Sequence, residues 1–132
     1  MRAKTKYGQM PNPFDVVNRE FNADVIIRDN IAEVDEQYEC DEYIVEVPKS
    51  KNLEDRVAEN FSEWLEKAKF LDEKNAEAEV RAKRNELLAE SDAMMVEDRP
   101  TDKEAWATYR QALRDITKQA GFPYDVEFPA KP

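Results

Sequence analysis

Two pairs of arginines carry the most pointed chemistry in this sequence. Arg81 and Arg84 precede Ser91 and Asp92, while Arg110 and Arg114 stand four residues apart with Asp115 beside them. A guanidinium grips a carboxylate through two parallel N–H donors. These residues therefore suit either the locking of two helices to each other or the capture of a partner's acid group. The other dense cluster is "DEQYECDE", residues 35–42, with Asp35, Glu36, Glu39, Asp41 and Glu42. It lacks the Asp-x-Asp-x-Asp-Gly order of a calcium loop. It reads as a solvated turn between strands, with a weak cation site as the alternative.

Most other chemistries are closed to the chain. It has no histidine, which removes imidazole ligands and Ser-His or Cys-His nucleophile pairs. One cysteine, Cys40, makes neither a thiolate zinc site nor an internal disulfide. Two glycines, Gly8 and Gly121, cannot build a phosphate-cradling loop. No pair of acids is marked out for acid–base work. The expectation is a protein without catalytic residues, metal ligands or cofactors, and not an enzyme.

Charge narrows the partners. The net charge is −10, unevenly spread. Residues 1–22 hold four basic and two acidic side chains, residues 23–80 seven and eighteen, and residues 81–132 nine and ten. Such a middle repels nucleic-acid phosphate, so no nucleic-acid partner is expected. An acidic decoy of nucleic acid would fit the charge but has no use for the aromatic C-terminal pattern described below. No run of 18 apolar residues exists, so no membrane span is expected. The opening "MRAKTKYGQMPNPF" has no apolar core of a secretory leader.

The elements that must position these residues follow from periodicity. Residues 1–22, with Pro11 and Pro13, read as an extended basic arm. Residues 23–50 form a small β region: "ADVIIRDNIAEV" places two β-rich runs around a hairpin turn at Asp29-Asn30, and "EYIVEVP" alternates up to Pro48. Residues 51–80 are an amphipathic helix opened by Asn52, with Val57, Phe61, Trp64, Ala68 and Leu71 on one stripe. The stripe falls out of phase afterwards, predicting a bend, a break near residues 72–75, or one long helix that changes partners. Pro100 ends the next segment, and Thr101 with Glu104 forms a capping-box pattern. The helix it starts buries Trp106, Tyr109, Leu113 and Ile116, with Gly121 as its C′ residue. The ending "FPYDVEFPAKP" is held extended by Pro123 and Pro129, and its anchors Phe122, Val126 and Phe128 should dock on the chain's own helices or on a partner. The fold class is α+β: an antiparallel sheet of about three strands, then two to three helices and an extended proline-containing tail.

Residues 81–132 carry the pattern Arg84-x-x-Leu87-Leu88-x-x-Ser91-Asp92, then Trp106-x-x-Tyr109-Arg110-x-x-Leu113-Arg114-Asp115-Ile116, then Gly121-Phe122-Pro123. On this pattern they resemble the phage tail assembly chaperone family. "QYECDEYIVEVP" and "RVAENFSEWLEKAK" are similar to the N-terminal halves of prophage relatives. Where the family usually has Trp after Ser-Asp, this chain has Ala93 and then Met94 and Met95; where it often ends Trp-Pro, this chain has Phe128-Pro129. Methionines make adaptable contact surfaces, so the Met pair is the place for the displaced contact.

The resemblance implies a partner among phage tail-fibre or other tail proteins, bound in the bacterial host cytoplasm during assembly. The alternative is a structural component retained in the virion tail, its basic arm wrapping a neighbour. The sequence allows a homo-oligomer. The residues singled out for partner binding or for the motif are Arg84, Leu87, Leu88, Ser91, Asp92, Met94, Met95, Trp106, Tyr109, Arg110, Arg114, Asp115, Phe122, Pro123 and Phe128.

Overall fold

A computed structural model describes residues 2–132. Strands β1 (Arg2–Tyr7), β2 (Phe14–Asn18), β3 (Asn22–Val34) and β4 (Gln37–Pro48) are followed by helices α1 (Leu53–Glu59), α2 (Phe61–Asp92) and α3 (Lys103–Arg114). Short 3-10 turns follow α2 at Ala93–Met95 and α3 at Asp115–Lys118. The chain forms two compact units, Met1–Asp72 and Glu73–Pro132.

In the first unit the sheet has four strands, not three, in the order β1-β4-β3-β2, all antiparallel. Residues 1–22, expected as an arm, contribute both outer strands. The basic run "RAKTKY" alternates short and long side chains and pairs with the acidic β4, with Lys6 bridging to Glu39 at 3.0 Å. "FDVVN" is β-branched and short, which suits an edge.

The hairpin turn also falls elsewhere than expected. Asn30 does adopt a left-handed conformation, φ 53°, but as an irregularity inside β3, where the pairing register shifts between Asp29 and Ala32. The chain reverses at Asp35 and Glu36, with φ 50° and 62°. Two successive left-handed residues give the turn whose twist matches the strands it joins. The rest of the acidic cluster, expected in a turn, therefore lies in β4. Among the described residues no group of three acidic or cysteine side chains is placed to hold a metal ion.

One sheet face carries the core. Ala23, Val25, Ile27, Tyr43 and Val45 are buried with Leu53 and Val57 of α1 and Ala68 of α2, and Phe14, Val16, Phe61 and Trp64 pack around them. The opposite face is tied by Arg28, whose side chain is only 5% exposed. Its guanidinium donates to the Asn12 carbonyl (2.9 Å), Asp15 (2.7 Å), Glu42 (3.0 Å) and the Tyr7 hydroxyl (3.2 Å). Burial alone would lower its pKa, but these bonds raise it further than burial lowers it. Arg28 stays charged because its Nε and Nη1 donors meet two carboxylates, a hydroxyl and a carbonyl.

The helical stretch breaks at Asn60; near residue 72, of the three expected outcomes, it shows the long helix, α2 running unbroken from Phe61 to Asp92 while the two units divide at Asp72. Asn60 uses both its backbone N–H (3.2 Å) and its side-chain amide (3.1 Å) on the Arg56 carbonyl, closing α1, while its own carbonyl accepts from Trp64 N–H (3.1 Å) and opens α2. Asn52 stands at the start of α1 as expected, but in a left-handed conformation and without a side-chain cap. The apolar stripe stays on the core through Ala68 and leaves it by Leu71, which is 39% exposed.

Candidate partner-binding site

The second unit gathers the motif residues on the end of α2, on α3 and on the tail. Helix α3 buries Tyr109 and Leu113, and Ile116 follows in the next turn. Trp106 meets Tyr109 edge-on, with ring centroids 5.5 Å apart, a favoured aromatic arrangement. The capping residue is Asp102, which accepts from Ala105 N–H at 3.1 Å. Thr101, expected in that role, instead donates its hydroxyl to the Met94 carbonyl at 2.6 Å. Lys103 joins it there, reaching the carbonyls of Met94 and Arg99 at 2.9 Å each. The loop after α2 is thus folded back on the start of α3.

Arg110 is the lock between the two helices. Its Nη1 donates to the Leu88 carbonyl at 2.9 Å, to Asp92 Oδ1 at 2.6 Å and to the Ser91 hydroxyl. Ser91 is almost fully buried and donates in turn to the Leu88 carbonyl at 2.7 Å. The last turn of a helix leaves carbonyls without intrahelical donors; here a guanidinium from α3 supplies one. Ser91-Asp92 and Arg110 are two halves of one contact.

The other arginines do different work. Arg81 lies over the Phe122 ring, 5.8 Å from its centroid, and pairs with Glu77 at 3.5 Å. Arg84 bonds the neighbouring Asn85 side chain at 3.0–3.1 Å and does not reach α3. Arg114 is exposed, its charge near Asp115. Asp115 accepts from Lys118 at 2.7 Å and Gln111 at 3.1 Å; chiefly the Lys118 bond holds its carboxyl below the ordinary value.

The tail docks on its own unit. Pro123 is buried, and Phe122, Val126 and Phe128 are half-buried. The Lys83 ammonium sits 4.4 Å from the Phe128 ring centroid, within cation–π range. Gln119 brackets Glu127 with two bonds to its backbone, at 2.8 and 2.9 Å, and Lys131 pairs with Glu90 at 2.7 Å. The Phe122–Pro123 peptide is cis. Gly121 is required by contact, not by a left-handed φ as its C′ role would have it: a Cβ there would lie 2.1 Å from the Asp125 carbonyl oxygen. Lys83, Glu90 and Lys131 were invisible to sequence reasoning, since no local pattern pairs residues more than forty positions apart, and Gln119 was missed because its partner is a tail backbone eight residues on.

Leu87, Leu88 and Met94 are half-buried, whereas Met95 and Val96 are 37% and 53% exposed. Most of the motif therefore builds a scaffold, and the loop at its end carries exposed apolar side chains.

Residues 77–132 match the family model of the phage tail assembly chaperone protein. The match bears out the resemblance drawn from residues 81–132. The match covers less than half of the chain, and the family it names is one of phage tail assembly chaperones. No curated protein and no solved structure matches the chain. Among the described residues no helix is long and apolar enough to cross a membrane.

Proposed function

We propose that the chain binds a phage tail-fibre or receptor-binding protein in the host cytoplasm and assists its folding, oligomerisation or attachment. The family match over residues 77–132 carries this reading. The chaperone unit supports it physically. A small helical scaffold, braced by Arg110 and closed by its own tail, presents Met94, Met95 and Val96 in a loop. Flexible thioethers suit the varied apolar surface of an unfinished fibre chain. The neighbouring Glu97 and Asp98 keep that loop soluble.

The test is a pull-down of the tagged chain from cells expressing the adjacent tail genes, with mass spectrometry of purified particles. Fibre protein in the pull-down and none of this chain in the particle is the expected result. Loss of capture in a Met95→Glu, Val96→Asp variant that keeps its helical circular dichroism places the contact on the loop. Recovery of the chain in particles at fixed stoichiometry overturns the transient role and establishes a retained tail component.

A further inference from the structure

The first unit has an open sheet edge beside a helix. Strand β2 pairs only with β3, so its other side is unpaired. The bonds Arg28 N–H to Pro13 C=O (2.8 Å) and Arg19 N–H to Asn22 C=O (2.8 Å) fix the phase of that ladder. In an antiparallel pair, inward and outward backbone groups alternate. With Phe14 opposite Ile27 and Asn18 opposite Ala23, residues 15 and 17 bond to β3. The N–H and C=O groups of Phe14, Val16 and Asn18 therefore point away from the sheet.

Two recesses lie along this edge, between β2 and α1. One, about 290 Å³, has Val16 and Asn18 on one side and Glu54 and Asp55 on the other. The second, about 380 Å³, continues past Phe14 to Glu54, Asp55 and Ala58. Glu54 and Asp55 border both. Each is exposed, and no cation among the described residues pairs with either. An edge strand with outward donors and acceptors and an acidic lip is a template for a strand of opposite charge.

We infer that the β2–α1 groove receives an extended basic strand of a partner protein, which joins the sheet at Phe14, Val16 and Asn18. Strand period dictates its pattern. Alternate side chains fall toward α1, where lysine or arginine meets Glu54 and Asp55; those between lie on the opposite sheet face, beside the 44%-exposed Val17. A second copy of this chain is the rival occupant, because β1 carries Lys4 and Lys6 at alternate positions. A copy docked that way leaves its own β2 edge free, so the array does not close on itself. It also brings together chains of net charge −10. Both arguments favour a different, basic partner. This inference does not depend on the partner being a tail protein, and it concerns residues outside the family match.

The test uses the full chain, labelled for NMR, and a capped ten-residue peptide alternating lysine with threonine and valine. Binding is expected with shifts centred on Phe14, Val16 and Asn18, weakening as salt approaches about 0.5 M. Asn18→Pro removes an outward N–H without touching the β3 ladder, as proline on an edge strand can. It should weaken binding at least about fivefold while the core resonances stay in place. Glu54→Gln with Asp55→Asn should weaken it about tenfold. No binding up to about 1 mM, equal binding of a glutamate-alternating peptide, or shifts elsewhere overturns the inference. So does concentration-dependent self-association mapped to β2.

Discussion

Arg110 Nη1 lies 2.9 Å from the Leu88 carbonyl and 2.6 Å from Asp92 Oδ1, so a side chain of α3 completes the last turn of α2. Arg110→Ala should cost about 2–3 kcal/mol, the range for a charge-assisted hydrogen bond whose partners stay partly buried. Ser91→Ala should cost about 1 kcal/mol, and the double mutant less than the sum, because both residues serve one contact. Urea unfolding read from Trp106 fluorescence in a Trp64→Phe background isolates the second unit. Strict additivity would mean that the two residues act separately.

Gly121 has no room for a methyl group against Asp125. Gly121→Ala should destabilise the second unit by about 2 kcal/mol or more, as overpacking against backbone does. Gly8→Ala is the control, since nothing lies within 4 Å of the added carbon. Thermal melts of the two variants should separate clearly.

Tyr109 is 4% exposed, and its hydroxyl has no hydrogen-bond partner among the described residues. Burying such a group opposes folding. Tyr109→Phe should therefore leave stability unchanged or raise it by up to about 1 kcal/mol. A loss larger than that, seen in the same fluorescence assay, would reveal a bound water or a partner for the hydroxyl.

Arg28 faces Tyr7, Asp15 and Glu42 together. Arg28→Met should destabilise the sheet by about 3 kcal/mol, because acids gathered around a lost cation repel each other. Arg28→Lys should recover only part of this, since one ammonium cannot reach the same acceptors. Unfolding followed by Trp64 fluorescence in a Trp106→Phe background measures both.

Cys40 is 3% exposed, and burial, with Glu42 and Asp41 nearby, pushes its thiol above the ordinary value against the opposing charge of Arg28. At pH 8 the native thiolate is scarce, so iodoacetamide should modify the folded chain at least about tenfold more slowly than the chain in urea. The sign for stability follows. The native state holds its proton to higher pH than the unfolded one, so this contribution is complete below the unfolded thiol value and declines as pH rises through the folded one. Cys40→Ser should flatten that alkaline decline.

The sequence disclosed what rests on local period and left out what rests on distant pairing. The stripe from Val57 to Ala68 and the run from Trp106 to Ile116 are legible because helical spacing is itself the signal. Arg110 was visible as a locking residue, since its spacing from Arg114 and its company of core residues stood out. β1 and β2 were hidden: each is short, and "RAKTKY" becomes a strand only through an acidic neighbour about forty positions along the chain. Asn30 misled because a left-handed asparagine serves a bulge as readily as a turn. The β2–α1 groove depends on which strand ends at the edge, and periodicity does not encode strand order.

Both borders of the sheet, β1 and β2, precede in the chain the two strands that they flank. During synthesis β2 can pair as soon as β3 follows it, whereas β1 must wait for β4, the last strand made. Until β1 returns, β4 has a bare side able to recruit a stranger. Residues 2–7 thus act as a hem sewn on last, and a version without them should fold its other three strands and then stick to its siblings.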